Sequence, residues 1–416
     1  MKKFLKAIIF LLLAIFTVGC IGCQQGGQTS SSEEKKDWRE QEMNCNVYPT
    51  SYTDVPNLQS KEEIKAYNND TKTALPCEKG VIESPYYTLR INGRKIPVYA
   101  ARTTNGIHSF AYVDVETDDD SKPFALNTEL SFLQLSTVLN DYGIDTHVDV
   151  LPEKKGVKAT MREDVVTCVI RDYGSYSFVF NRFHEEPLTL MVAQKENTEE
   201  LFGDYEIEYF EAGDYTTENM RQKTLFSTEN KVYYFKKGNY EIDSITLPSN
   251  SILYLEQGVY FKAMPSRTGS TTSLLKVAGK SNVKVSGRGL VDFSSCCGSV
   301  NQAETGMKNN KSAYGFTSCT DVSFSGITTI NSQTWTLCMT DVRGVNIKDC
   351  MFFAYRIFAD GIMLSDCKNA VVEKNFIRTG DDAFETKSTS ASGLTENVLF
   401  RNNAAWTDKA VAYGCI

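Results

Sequence analysis

Hydrophobic and polar residues follow two different rhythms along the chain. Between about Tyr86 and Val192, short alternating runs are broken by turn residues: 86–96 around Asn92-Gly93, 109–115, 148–151, 165–171 and 175–181. Period-two alternation with frequent turn signals predicts an antiparallel β-sandwich. Beyond about Asn230 a phrase recurs in which one polar residue opens an alternating apolar run that ends in a turn. It reads Asn250-Ser251-Ile252-Leu253-Tyr254-Leu255, Asn282-Val283-Lys284-Val285, Asp321-Val322-Ser323-Phe324, Gly344-Val345-Asn346-Ile347, Asn369-Ala370-Val371-Val372 and Asn397-Val398-Leu399-Phe400. Successive openings lie 32, 39, 23, 25 and 28 residues apart. One phrase per coil is the grammar of a solenoid, in which no coil buries its own face and each packs on the next. Two-residue hairpin signals are sparse in this half, which argues against a second sandwich. The expected fold is therefore all-β: an N-terminal β-sandwich-like domain, residues 39–205, followed by a parallel β-helix, residues 206–416.

The first residues carry a different pattern. Lys2, Lys3 and Lys6 precede an apolar run over 7–18, which is too short to span a bilayer and reads as a secretory signal. Thr17-Val18-Gly19-Cys20 then resembles the cleavage box of bacterial lipoproteins. That resemblance implies a signal peptide over 1–19 and lipidation of Cys20, with Cys23 as the other candidate. Residues 20–38 are dominated by Gln, Gly, Ser, Glu and Lys and form a flexible tether. The chain is expected to be exported and lipid-anchored at the bacterial cell envelope, its membrane contact made by the lipid alone.

Composition narrows the class. Among 416 residues, 41% are hydrophobic and 23% charged, which fits a folded body and excludes both a disordered chain and a multi-span membrane protein. The 44 basic against 52 acidic residues give a net charge of -8, which repels a phosphate backbone, so no nucleic-acid partner is expected. The 21 Tyr and 23 Phe suit β-rich folds and sugar-stacking surfaces alike. His108, His147 and His184, the three histidines, lie in the sandwich half without neighbours at ligand spacing and are read as structural. The ten cysteines after Cys23 lack zinc-site spacing and are read mostly as buried thiols, with a Cys45–Cys77 bridge possible and the vicinal Cys296-Cys297 too close for an ordinary one. No metal and no cofactor is called for.

Three carboxylates stand out: Asp360 in Phe358-Ala359-Asp360-Gly361-Ile362, and the pair in Thr379-Gly380-Asp381-Asp382-Ala383-Phe384. Asp360 and Asp382 are 22 residues apart, close to one coil, which in a parallel solenoid stacks them about 4.8 Å apart with Asp381 beside them. Crowded carboxylates resist joint ionisation, so at least one stays protonated while others act as bases. Glycosidic cleavage needs that division: a proton for the leaving oxygen and a base for the attacking water. Singly, each of these Asp-Gly and Gly-Asp sequences would read as a turn. The one-coil spacing is what makes them a site.

The stretch Asp360-Gly361-Ile362, Asn369-Ala370-Val371-Val372-Glu373, Ile377-Arg378-Thr379-Gly380-Asp381-Asp382-Ala383 and Lys387-Ser388 resembles the catalytic core of bacterial polygalacturonase-like glycoside hydrolases, family 28. The N-terminal sandwich, Gly258-Val259-Tyr260, Gly287-Arg288-Gly289-Leu290-Val291-Asp292 and Trp406 also resemble the related dextranase and isopullulanase family, family 49. The resemblance implies a right-handed parallel β-helix, an inverting hydrolase, a polysaccharide or oligosaccharide substrate of pectic or α-glucan type, Asp381 as general acid, and Asp360 with Asp382 activating water. Phe358-Ala359 stands where the polygalacturonase pattern has Asn-Thr, and Asp408-Lys409-Ala410 where it has Gly-His-Gly. The family's following Arg-Ile-Lys would lie beyond Ile416, where the chain stops inside a coil, so a truncated C-terminus is expected.

Lys387 and Lys409 are candidates for pairing with an acidic sugar, with a solvated surface as the alternative. Trp335 aligns with the position of Asp360 one coil earlier and is a candidate sugar platform, with a packed wall of the solenoid as the alternative. Cys350 and Asn375 are expected in internal ladders between coils. Two rival classes remain: a polysaccharide lyase, for which Arg356 and Arg378 supply candidate bases, and a non-catalytic glycan-binding surface protein.

Overall fold

The computed structural model describes residues 45–52, 55, 80–103, 106–117, 123–132, 147–180, 183–212, 226–265, 272–296, 311–354, 356, 358–389 and 393–407. Cys20, Cys23, Cys77, Cys297 and Lys409, with the signal and tether segments, lie outside the described residues.

The first rhythm folds as two stacked sheets. Tyr87–Ile91 and Arg94–Ile96 pair across the Asn92-Gly93 turn, where Asn92 takes φ 51° and Gly93 φ 74°, the left-handed pair that a tight hairpin demands. They join Leu126–Phe132, Val165–Ile170 and Thr160–Arg162 in a five-stranded sheet. A seven-stranded sheet faces it, centred on the long strands Gly106–Thr117 and Phe183–Gln194. These two run parallel to each other, a departure from the otherwise antiparallel pairing. Leu89, Ile91, Leu130, Val166 and Ile170 from one sheet meet Ala111, Val113, Phe178, Leu188 and Leu190 from the other in a closed core.

The second rhythm folds as a parallel β-helix of three sheets. The first sheet runs Glu206–Phe210, Lys231–Phe235, Ser251–Leu255, Ser281–Gly287, Thr320–Ser325, Arg343–Lys348, Lys368–Glu373 and Glu396–Arg401, all in parallel. Its register places Ser251, Val283, Val322, Val345, Ala370 and Val398 side by side, so the steps between coils are the 32, 39, 23, 25 and 28 residues of the recurring phrase. The polar opening residue is a corner. Asn250, Asn282, Asp321, Asn369 and Asn397 have φ between 52° and 61°, a region where Asn and Asp are tolerated and β-branched residues are not. Neighbouring corners also bond: Asn282 Nδ2 donates to Asn250 Oδ1 at 3.2 Å, and Asn397 Nδ2 to Asn369 Oδ1 at 2.8 Å.

The second sheet includes Leu290–Asp292, Thr328–Ile330, Met351–Phe353, Phe376–Thr379 and Ala404–Thr407, and the third runs Thr272–Ala278, Lys311–Thr317, Leu337–Thr340, Ile362–Ser365 and Phe384–Lys387. Between the sheets Phe235, Phe261, Phe316, Phe324, Phe352, Leu364 and Ile377 fill the bore. Each such side chain contributes roughly 1.5 to 3 kcal/mol by leaving water. The expected ladder is present: Asn375 accepts from the Cys350 main-chain N–H at 3.0 Å and donates to Ile347 O at 3.2 Å. The Cys319, Cys350 and Cys367 thiols are buried against carbonyls of their own coils.

The seven-stranded sheet of the sandwich has a second buried face, which packs on the outside of the second solenoid sheet. Phe110, Tyr112 and Met191 meet Ile330, Phe353 and Phe376 there. Arg288 crosses the same boundary, its Nε donating to Asp114 Oδ1 at 2.7 Å and its Nη1 lying 3.0 Å from Glu196 Oε1. His108 is in this interface, whereas His147 is on the surface, 2.7 Å from Asp149 Oδ1.

Candidate active site

The third solenoid sheet builds the site. Leu337, Ile362 and Leu364 point into the bore and are fully buried, so period-two alternation turns Cys338, Met363 and Glu385 outward on three successive coils, followed by Thr340, Ser365 and Lys387. Just before these strands the same register aligns Trp335, Asp360 and Asp382. Main-chain bonds fix it: Thr336 N–H donates to Asp360 O at 2.9 Å, Gly361 N–H to Asp382 O at 2.8 Å, and Ile362 N–H to Ala383 O at 3.0 Å. The stacking of Asp360 and Asp382 expected from their spacing is therefore present, at the inter-strand distance of about 4.8 Å.

Gly361 makes that close approach feasible. A Cβ on it would lie 2.4 Å from Ala383 O and 2.5 Å from Ile377 Cγ2, so no side chain fits between the coils beside the acids. Asp381 adjoins Asp382 at the strand entry, where its Oδ1 accepts from the Asp382 N–H at 3.1 Å and its carbonyl accepts from Thr379 Oγ1 at 2.9 Å.

Burial and crowding set the electrostatics. Asp360 is 7% exposed, and burial first, then Asp381, Glu385 and Asp382, push its carboxyl up to about 7. Asp382 is raised in the same direction by burial, Asp381 and Glu385, and Lys387 partly offsets the effect on both. Oδ1 of Asp382 and Oε2 of Glu385 are buried without a hydrogen-bond partner. Such groups are costly alone and act as ready acceptors for a proton or a hydroxyl.

Glu385 is the site residue that the motifs did not announce. Its signal was available in the alternation of Phe384-Glu385-Thr386-Lys387: with Phe384 packed against the bore, Glu385 and Lys387 must face out beside Asp382. The two form an ion pair, Glu385 Oε1 to Lys387 Nζ, which raises the lysine above its ordinary value. Trp335 is 44% exposed, on the coil one step before Asp360 and two steps before Asp382. Arg378 is not in the cleft. It is 1% exposed and bonded to His108 Nδ1 at 2.9 Å, on the sandwich side of the solenoid, so it cannot serve as a lyase base.

The fold overlays on a polygalacturonase from Erwinia carotovora ssp. carotovora (16% identity, TM-score 0.42, 48% of this chain and 62% of that one). It also overlays on Dex49A from Penicillium minioluteum (10%, 0.48, 88% and 84%) and on the family 28 exopolygalacturonase of Yersinia enterocolitica (13%, 0.41, 78% and 64%). The chain thus spans less than two thirds of the length of both polygalacturonases. No curated protein matches it. Residues 236–407, the segment that carries Asp360, Asp381, Asp382 and Glu385, match the model of glycosyl hydrolases family 28.

Proposed function

We propose that this protein is an inverting glycoside hydrolase acting on a polysaccharide or oligosaccharide. The observation that carries the reading is the column of Asp360 and Asp382 on adjacent coils with Asp381 at its side, on an outward-facing sheet edge with an exposed indole one coil away. Asp381 is the general acid that protonates the leaving oxygen. Asp360 and Asp382 hold and deprotonate the attacking water, and the unpartnered Oδ1 of Asp382 is suited to accept its proton. Inversion asks for roughly 6.5 to 9.5 Å between acid and base carboxyls, so that water enters opposite the leaving group. Burial first, then its acidic neighbours, raises Asp360 to about 7, and as a base it works only when ionised. The value of kcat/KM should therefore fall as pH drops below about 7.

The test is release of reducing ends from pectic, α-glucan and host-type glycans by the full chain, with proton NMR of the first product formed. Turnover with an inverted anomer, reduced roughly 100- to 10,000-fold by Asp381→Asn with glycan binding retained, supports the reading. Ultraviolet absorbance from a new double bond would instead mark a lyase. Binding without turnover, indifferent to Asp381→Asn, would mark a binding protein.

The N-terminal pattern supports export and a lipid anchor at Cys20. Cys20→Ala should then move the chain from the membrane fraction to the soluble one, and an unchanged distribution would remove the anchor.

A further inference from the structure

The charges around the stacked acids determine which sugars can bind beside them. Asp360, Asp381, Asp382 and Glu385 crowd two adjacent coils, and a basic side chain that acts on both Asp360 and Asp382 is Lys387. Among the described residues, Lys387 is the cation beside these acids that is placed to receive a sugar carboxylate, yet its Nζ is already engaged by Glu385 Oε1, and the other carboxyl oxygen of Glu385 is buried without a partner. A uronate brought to this position meets three aspartates and finds the lysine neutralised. A neutral sugar meets acceptors for its hydroxyls, including Asp382 Oδ1.

We propose that Glu385 is a specificity-determining residue: by occupying Lys387 it makes the cleavage point select an uncharged sugar and reject a uronate. The proposal rests on the glycoside hydrolase reading for the nature of the ligand. Its mechanism is negative selection, in which a carboxylate-bearing competitor loses through like-charge repulsion and desolvation in a partly buried patch. Cys338 and Met363, which share the outward column with Glu385, offer no charge to compensate. Trp335 stacks on a neutral ring as well as on a charged one, so it does not favour the uronate.

The test uses binding, so that it does not depend on turnover. The full chain carrying Asp381→Asn is run through native gels containing de-esterified galacturonan, fully methyl-esterified galacturonan, or neutral α-glucans and galactans. At least one uncharged polysaccharide should retard the chain, and de-esterified galacturonan should bind at least about tenfold more weakly. Adding Glu385→Gln, which keeps shape and removes charge, should raise affinity for de-esterified galacturonan about tenfold and change that for the uncharged polysaccharide less than about twofold. Adding Lys387→Met to that variant should abolish the gain, and this shows that the released lysine is responsible. The proposal is overturned if de-esterified galacturonan binds as well as every uncharged glycan, if no uncharged glycan binds, or if Glu385→Gln leaves the ratio unchanged. Binding by this pattern with no hydrolysis by the unsubstituted chain would defeat the hydrolase reading and leave the sugar preference standing.

Discussion

Nη1 of Arg378 lies 2.9 Å from Nδ1 of His108, a residue 270 positions earlier, and this contact ties the sandwich to the strand that delivers the paired aspartates. Arg378 belongs to Phe376–Thr379, which leads directly into Gly380-Asp381-Asp382. The guanidinium donates to Nδ1, so the ring proton sits on Nε2 and points at Thr189 Oγ1, 2.7 Å away, which in turn lies 2.7 Å from Ser177 Oγ. Trp406 covers both partners, edge-on to the imidazole at 5.8 Å and 5.3 Å from the guanidinium carbon. The position and the chemistry of this network make the sandwich a support for the strand that leads into Asp381 and Asp382.

His108→Ala should therefore destabilise the chain by about 2 to 4 kcal/mol, because it removes a buried acceptor from a buried cation and leaves a cavity between sheets. Turnover should fall with it through displacement of Asp381. Chemical denaturation of the two proteins measures the first effect. Burial, then Arg378, holds His108 well below its ordinary value, so it stays neutral when folded. The unfolded chain binds that proton below about 6.5, and stability should be lost as pH falls through that value. His108→Ala should lack this component. An identical acid limb in both proteins would sink the assignment.

Asp360 stores electrostatic cost at the site. Its carboxyl is raised to about 7 in the fold and would titrate near 3.8 when unfolded. Between these values the native state holds the extra proton, so this group's contribution to stability declines as pH rises from about 4 to 7 and stays low above. Asp360→Asn should stabilise the protein by about 2 kcal/mol at pH 8, a figure already reduced for solvent screening, and by close to nothing at pH 4. Melting temperatures of both proteins across that range provide the check. A substitution equally neutral at both pH values would mean that neither burial nor the neighbouring acids raise Asp360.

Trp335 separates a sugar platform from a packed wall by where its loss is felt. Nearly half exposed, it should leave stability within about 0.5 kcal/mol when changed to alanine. A stacked sugar would lose about 0.5 to 1.5 kcal/mol of contact, seen as a KM several-fold higher at little-changed kcat. A drop of several kcal/mol in stability with an unchanged KM would assign the indole to the wall.

The solenoid was legible because its repeat is enforced at the backbone. A left-handed corner accepts Asn, Asp or Gly and disfavours other side chains, so Asn250, Asn282, Asp321, Gly344, Asn369 and Asn397 mark the coils one by one in the sequence. Once the coil length was known, Asp360 and Asp382 had to stack. Glu385 escaped because no turn or motif marks it, and only the inward Phe384 reveals which way it faces. The Arg378–His108 contact was not readable at all. Each residue is unremarkable in its own half, and their meeting depends on how the sandwich sheet docks, which alternation in either half does not specify. For the same reason Arg378 could pass in the sequence for a cleft base although it is buried on the opposite sheet.

Gly361 offers the sharpest test of the stacked site, because the change is a single methyl group. The added Cβ would press on Ala383 O and Ile377 Cγ2, and both belong to the next coil: one follows Asp382 and the other is in the strand leading to Asp381. Ala383 O is main chain and cannot turn aside as a side chain can, so the methyl bears on the coil contact that the Gly361 N–H to Asp382 O bond makes beside it. Overpacking of this kind costs about 1 to 3 kcal/mol, so Gly361→Ala should still fold, with its midpoint lowered accordingly. Activity should fall far more than stability, by roughly 100-fold, since a displacement of about 1 Å between catalytic groups has that effect. Gly344→Ala is the matched control, at a corner of the first sheet where the close neighbour is the Asp321 carboxylate, and it should cost stability alone. If both variants lost activity only in proportion to stability, the separation of Asp360 from Asp382 would not be what the reaction depends on.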